Sequence, residues 1–196
     1  LARWLVDRRV APNQISLASL VFATLGAGAM LAATPASANV RAALFVAAAV
    51  CIQLRLLCNL LDGMVAVEGR LGSRSGDVYN EIPDRIADPL LIVPAGYACG
   101  LPFGPELAWM AALLALLTAY IRAFGGSLGL PQGFQGPMAK PHRMAAMTVG
   151  LLVAALVIPW GSDGPVLMLT LVVILFGAIL TAARRTRAIL NALEAR

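Results

Sequence analysis

The sequence predicts an all-α fold: an integral membrane bundle of six transmembrane helices, preceded by a short N-terminal amphipathic segment. Three observations carry this. Of the 196 residues, 60% are hydrophobic and 13% charged, with a mean hydropathy of +0.82; soluble domains are about 45–50% apolar and about 25% charged. Fifteen basic and ten acidic residues cannot clothe a single soluble core of this size. Apolar runs of spanning length recur along the chain, and a spanning helix needs about 20 mostly apolar residues. A soluble enzyme, a disordered chain and a disulfide scaffold are thereby excluded.

Each element follows in order. Residues 10–40 contain no Asp, Glu, Lys or Arg and predict a helix over 14–33, started through Pro12-Asn13-Gln14 and stopped by Thr34-Pro35. The basic start and Ala36-Ser37-Ala38 imitate a cleaved signal peptide, but the uncharged run is long for such a segment, so a retained helix is expected. Residues 42–61, interrupted by Arg55, predict a helix over 41–66, and glycines 69, 72 and 76 separate it from one over 80–100. After the break from Gly100 to Pro105, residues 107–124, interrupted by Arg122, predict 106–128. The Gly/Pro-rich stretch 125–141 precedes a helix over 143–160, and Pro159 to Pro165 precede the last, 164–184.

The basic residues choose the orientation. Arg3, Arg8 and Arg9 precede the first helix, Arg70 and Arg74 follow the second, Lys140 and Arg143 precede the fifth, and Arg184, Arg185, Arg187 and Arg196 follow the sixth. The opposite loops offer only Arg41. With positive loops inside, both termini and the 2–3 and 4–5 loops face the cytoplasm of a cell (cytoplasmic) membrane. The net charge of +5 is scattered between apolar runs, not gathered in a stripe, so no nucleic-acid partner is expected. Cys51, Cys58 and Cys99 form no CxxC pair and read as small buried hydrophobes.

Acids at membrane depth are costly and mark function. Five of the ten lie between positions 62 and 84: Asp62, Glu68, Asp77, Glu81 and Asp84; Asp88 follows. Asn59, Asp62 and Ala66 share one side of the second helix. Asp77, Asn80, Glu81, Asp84 and Asp88 fall within an arc of roughly 100° if the third helix runs through them; if it began near Pro83, only Asp84 and Asp88 would keep that geometry. Such oxygen donors suit Mg²⁺ or Mn²⁺, one or two per site. Glu68, nearer the loop, reads as a solvated charge.

These residues resemble the motif of the CDP-alcohol phosphotransferases, D-x2-D-G-x2-A-R-x8-G-x3-D-x3-D. Here it reads Asn59-x2-Asp62-Gly63-x2-Ala66-Val67-x8-Gly76-x3-Asn80-x3-Asp84, with every spacing kept. The Pro12-Asn13-Gln14 start and the cluster from Gly136 to Arg143 extend the likeness, so the chain is read as one such membrane domain over 1–196.

The resemblance implies a divalent-metal-dependent transferase of phospholipid biosynthesis. It would move a phosphatidyl group from a CDP-linked lipid such as CDP-diacylglycerol to an alcohol acceptor, releasing CMP. It implies Asp84 as general base, Asn59, Asp62, Asn80 and Asp84 as metal ligands, and Gly63, Ala66 and Gly76 against the cytidine nucleotide. Asn59, Asn80 and Val67 depart from the pattern, so Glu81 and Asp88, with Asp77 a third, are expected to restore the lost negative charge, and Arg70 or Arg74 the lost arginine. A single metal held by Asp62, Asp84 and the two amides is the alternative. Arg122, Lys140 and Arg143 read either as ordinary positive-inside anchors or as a cationic pocket for a phosphate on the acceptor or lipid. Arg55, in mid-helix, has no role in this reading. A non-catalytic binding or assembly member is the rival reading, and the glycines at 96, 100, 125, 126 and 129 admit close helix packing or a homodimer.

Overall fold

The computed structural model describes residues 1–69, 76–131 and 136–195. Arg70 and Arg74 lie outside the described residues, as does the side chain of Asp77. The chain is all-helical among these residues: α1 (Ala2–Asp7), α2 (Pro12–Ala33), α3 (Ala38–Glu68), α4 (Gly76–Ala98), α5 (Gly104–Ser127), α6 (Lys140–Val157) and α7 (Asp163–Glu194).

Local chemistry explains the ends. Pro12 sits in the first turn of α2, where its missing N–H is no loss, and Gln14 Oε1 accepts the Ala11 N–H at 3.3 Å. The helix therefore begins at 12, two residues before the expected 14. α4 starts at Gly76, not 80, so Pro83 lies inside it along with Pro89 and Pro94. Each costs a backbone hydrogen bond but none ends the helix. α6 closes at Val157 in a 3₁₀ turn, Ile158–Trp160, and the chain reverses at Gly161, whose φ of +65° suits glycine. α7 continues to Glu194, well past the expected 184, because Arg184, Arg185 and Arg187 are good helix formers and nothing after them breaks the helix.

The expected count of six spans is corrected in one respect. Among the described residues, five helices are long and apolar enough to cross a membrane: α2, α3, α5, α6 with its 3₁₀ turn, and α7. The 23-residue α4 is long enough, but its first half carries Asp77, Glu81, Asp84, Arg85 and Asp88. This is a multi-pass membrane protein in which α4, with its charges gathered toward one end, is held by its neighbours.

The six long helices close into a ring. α2 packs on α3 and α4, α4 on α5, α5 on α7, α7 on α6, and α6 back on α3, with α4 also touching α7. The short α1 lies on α3, where Ala2, Ile15, Cys58, Leu61 and Val65 form a small core. The main core is rich in alanine (Ala23, Ala48, Ala49, Ala87, Ala95, Ala108, Ala111, Ala115), as expected where dispersion and close approach, rather than water exclusion, hold helices together. Gly96 is the tightest case: a Cβ there would stand 2.5 Å from the Cβ of Ala108 on α5. Val21, Leu25, Leu113, Leu156 and Phe176 point outward, toward lipid.

The ring has two different ends. At one, Arg41 binds Asp163 Oδ2 at 2.7 Å and the carbonyls of Ala33 and Ala98 at 3.0 and 2.6 Å, tying α2, α4 and α7 together. The other end collects the remaining buried charge.

Candidate active site

The C-terminal half of α3 and the N-terminal half of α4 face each other at that second end. α3 supplies Arg55, Asn59 and Asp62, about one turn apart along one face. α4 supplies Asn80, Glu81, Asp84 and Asp88. Because α4 runs through Pro83, all four share one continuous helix, as the longer of the two sequence alternatives required. α5 adds Thr118 and Arg122, α6 adds Lys140 and Arg143 in its first turn, and α7 adds Arg185.

Asp84 is the junction. Its Oδ1 accepts from Asn59 Nδ2 at 2.7 Å and Arg55 Nη2 at 3.0 Å, while Oδ2 pairs with the Lys140 ammonium. Asp88, also buried, accepts from Arg143 Nη2 at 2.6 Å on Oδ2 and from Arg55 Nη2 at 3.4 Å on Oδ1. The charges alternate along a chain: Lys140, Asp84, Arg55, Asp88, Arg143. Arg143 Nη1 further donates to Met138 O at 2.8 Å and Thr118 Oγ1 at 3.3 Å. Taking such ions out of water costs several kcal/mol each, a penalty that this mutual pairing offsets.

Asp62, also buried, lies about one turn along α3 from Asn59, the residue that binds Asp84. Ser16, at the start of α2, donates to its Oδ2 at 2.6 Å. Among the described residues, and apart from its chain neighbours and its own helix backbone, no atom stands within 4 Å of where a Cβ on Gly63 would be, so open space adjoins Asp62 on the chain. Ala66 is half-buried, Gly76 opens α4, and Val67 and Glu68 are exposed.

A cavity of about 330 Å³ lies over these groups, lined by Asn59, Asn80, Glu81 and Asp84 on one side. Arg85, Arg122, Lys140, Arg143 and Arg185 line the rest. Glu81 faces this cavity and pairs with Arg85 and Arg122. Sequence reasoning did not single out Ser16, Arg85, Thr118 or Arg185. The signal for Arg185 was present, an Arg-Arg pair after an apolar run, but it reads as an ordinary membrane anchor until α7 is seen to continue past it. Buried Arg185 Nη1 donates to Thr118 O at 2.7 Å, which places it at the cavity wall.

The donor set suits a hard divalent cation in kind. Asp62 and Asp84 offer carboxylates, and Asn59 and Asn80 can offer amide oxygens. It is sparse in number, for among the described residues no three His, Cys, Asp or Glu side chains cluster as ligands. Glu81 and Asp88, expected to compensate, are otherwise engaged: Glu81 by two arginines and both oxygens of Asp88 by Arg55 and Arg143.

Comparison with known proteins gives a consistent set of relatives, although no family model matches the chain. The inner membrane protein YnbA of Escherichia coli is 30% identical over 162 residues, covering 80% of this chain and 74% of the relative. A bifunctional IPC transferase and DIPP synthase of Rubrobacter xylanophilus is 31% identical over 154 residues, covering 77% of this chain but only 33% of that longer protein. Among solved structures, the fold matches the phosphatidylinositol phosphate synthase of Mycobacterium tuberculosis with CDP-DAG bound. That match has a TM-score of 0.79 at 20% identity and covers 96% of this chain and 90% of that one. The same synthase in complex with manganese and citrate matches with a TM-score of 0.79, covering 96% and 86%.

Proposed function

Because this chain belongs to the CDP-alcohol phosphotransferase family, we propose that it transfers a phosphatidyl group from a CDP-linked lipid to an alcohol that itself carries a phosphate, releasing CMP. The observation that carries this reading is one cavity lined by Asn59, Asn80, Glu81 and Asp84 of α3 and α4 together with five cations, Arg85, Arg122, Lys140, Arg143 and Arg185. The relatives named above support the lipid donor.

The residues divide the work. The acceptor hydroxyl gives its proton to a lone pair of Asp84 as its oxygen bonds to the lipid-bearing phosphorus. The bond from that phosphorus to the CMP oxygen then breaks, and CMP leaves with the electron pair. Lys140 must release Asp84 Oδ2 for this, and as a half-buried side chain at the cavity edge it is placed to do so. Arg122, Lys140, Arg143 and Arg185 offer an acceptor phosphate charge-assisted hydrogen bonds. Gly63, with open space where a Cβ would stand, leaves backbone accessible for the nucleotide, and Ala66 and Gly76 are small residues at the motif's spacing beside it. Asp62 and Asp84, with the oxygens of Asn59 and Asn80, would hold a divalent cation, Mg²⁺ or Mn²⁺. Such an ion supplies Lewis-acid stabilisation of charge on the diphosphate. The cavity end faces the cytoplasm of the cell membrane in this reading, since the basic loops gather there.

A reconstituted assay of CMP release from CDP-diacylglycerol against a panel of alcohols tests the proposal. Phosphorylated alcohols such as glycerol phosphate or inositol phosphate should react at least about tenfold faster than neutral ones. Absence of CMP release with every acceptor would sink the transferase reading, and a preference for neutral alcohols would sink the acceptor assignment. The non-catalytic alternative has little support, because Asp84 keeps its place in the cavity.

A further inference from the structure

The two oxygens of Asp84 are committed differently. Oδ1 takes two N–H donors, from Asn59 at 2.7 Å and Arg55 at 3.0 Å. A carboxylate oxygen has about two lone-pair sites, so Oδ1 is filled. The amide orientation is forced, because a carboxylate only accepts and Asn59 must turn its NH₂ toward it. Oδ2 receives the Lys140 ammonium.

The two cations differ in freedom. The Arg55 side chain is 0% exposed and bridges Asp84 and Asp88, and Asp88 is pinned from its far side by Arg143. Arg55 cannot withdraw without leaving two buried carboxylates short of charge. Its Nε and Nη1 are buried with no hydrogen-bond partner among the described residues, so the bundle tolerates an incompletely satisfied guanidinium there. Such a group is costly to keep, which points to its charge as the reason for its presence. Lys140 is 24% exposed on a flexible stem at the cavity wall. It can move away.

The carboxylates are already fully matched: Asp62, Asp84 and Asp88 stand against Arg55, Lys140 and Arg143, and buried Arg185 at the cavity wall adds one more positive charge. Releasing Lys140 leaves room for added positive charge, whereas releasing Arg55 is closed off. We propose that the site takes one divalent cation and not two: Arg55 is the permanent counter-charge at Asp84 Oδ1, and Lys140 is the exchangeable ammonium that the ion displaces from Oδ2. This rests on the transferase reading above and adds to it the metal number and a role for Arg55. Asn59 and Asn80 then fit their surroundings, since neutral oxygens suffice where a second dication is not being held.

The test is a titration of Mn²⁺ into the purified protein in detergent with CDP present, counting bound ions by the loss of the free-ion paramagnetic resonance signal. One Mn²⁺ per chain at saturation is expected; two, or none, would overturn the proposal. Lys140→Met should tighten Mn²⁺ binding roughly tenfold by removing the competing charge, still at one per chain; unchanged or weaker binding would remove Lys140 from the exchange. The double variant Asn59→Asp/Asn80→Asp should also stay at one. A second ion there would mean that the amides, and not Arg55, set the number. CMP release measured on the same wild-type preparation separates the two readings. Two ions with CMP release defeats this inference alone, and one ion without CMP release defeats the transferase reading alone.

Discussion

Asp84 and Asp88 lie about one turn apart on α4, yet their surroundings give them different work. Asp84 lines the cavity and shares a movable lysine; Asp88 does not line it and is clamped between two arginines. Asp84→Asn keeps the shape and loses the base, so CMP release should fall by about 10²–10⁴-fold while the protein elutes as a folded species. Near-normal turnover would take Asp84 out of that role. Asp88→Asn strips charge from Arg55 and Arg143 together and should cost roughly 3–5 kcal/mol of stability, read as a large fall in thermal midpoint in detergent. Glu81→Gln, at a half-exposed site, should cost under about 1 kcal/mol. Equal midpoints for the two variants would mean that the Arg55–Asp88–Arg143 cluster does not hold the helices together.

At the scale of elements, glycines divide by what stands opposite them. Gly96 on α4 meets Ala108 and the Gly104 carbonyl on α5, each 2.5 Å from where a Cβ would sit, while nothing stands within 4 Å at Gly28 on α2. Gly96→Ala should therefore force the α4–α5 contact apart and cost about 1–3 kcal/mol. Gly28→Ala should be neutral or stabilising by up to about 1 kcal/mol through helix propensity. Comparative melting curves check this, and a harmless Gly96→Ala would show that the α4–α5 seam is looser than drawn. Gly96 was legible only as a small residue admitting close packing; that its partner is α5 within the same chain came from the fold.

For the molecule as a whole, the asymmetry of its two ends is the main fact. One end is closed by Arg41 with Asp163 and the Ala98 carbonyl; the other gathers the cavity, the acids of α3 and α4, and the basic residues of α6 and α7. If basic loops lie inside, a cysteine placed at Arg187 should be labelled from the cytoplasmic side only, and one at Gly161 from the outside only. Labelling of both from one side would contradict the ring, and the reverse pattern would invert the orientation.

The order of the helices, their approximate ends and the motif spacing from Asn59 to Asp84 were determined by the sequence alone. Hydropathy and helical period are local properties, and a bilayer leaves little choice about which runs cross it. The sequence could not decide whether α4 survives Pro83, because a helix buried among others can lose one backbone bond where an isolated one would break. Nor could it decide which groups Arg55 pairs with, or that Asp88 is paired with two arginines. Arg55 and Asp88 are 33 residues apart, and Asp88 and Arg143 are 55 apart. Which charge meets which is fixed only when α3, α4 and α6 are brought side by side, and at buried positions the partner, not the residue, determines what a carboxylate does.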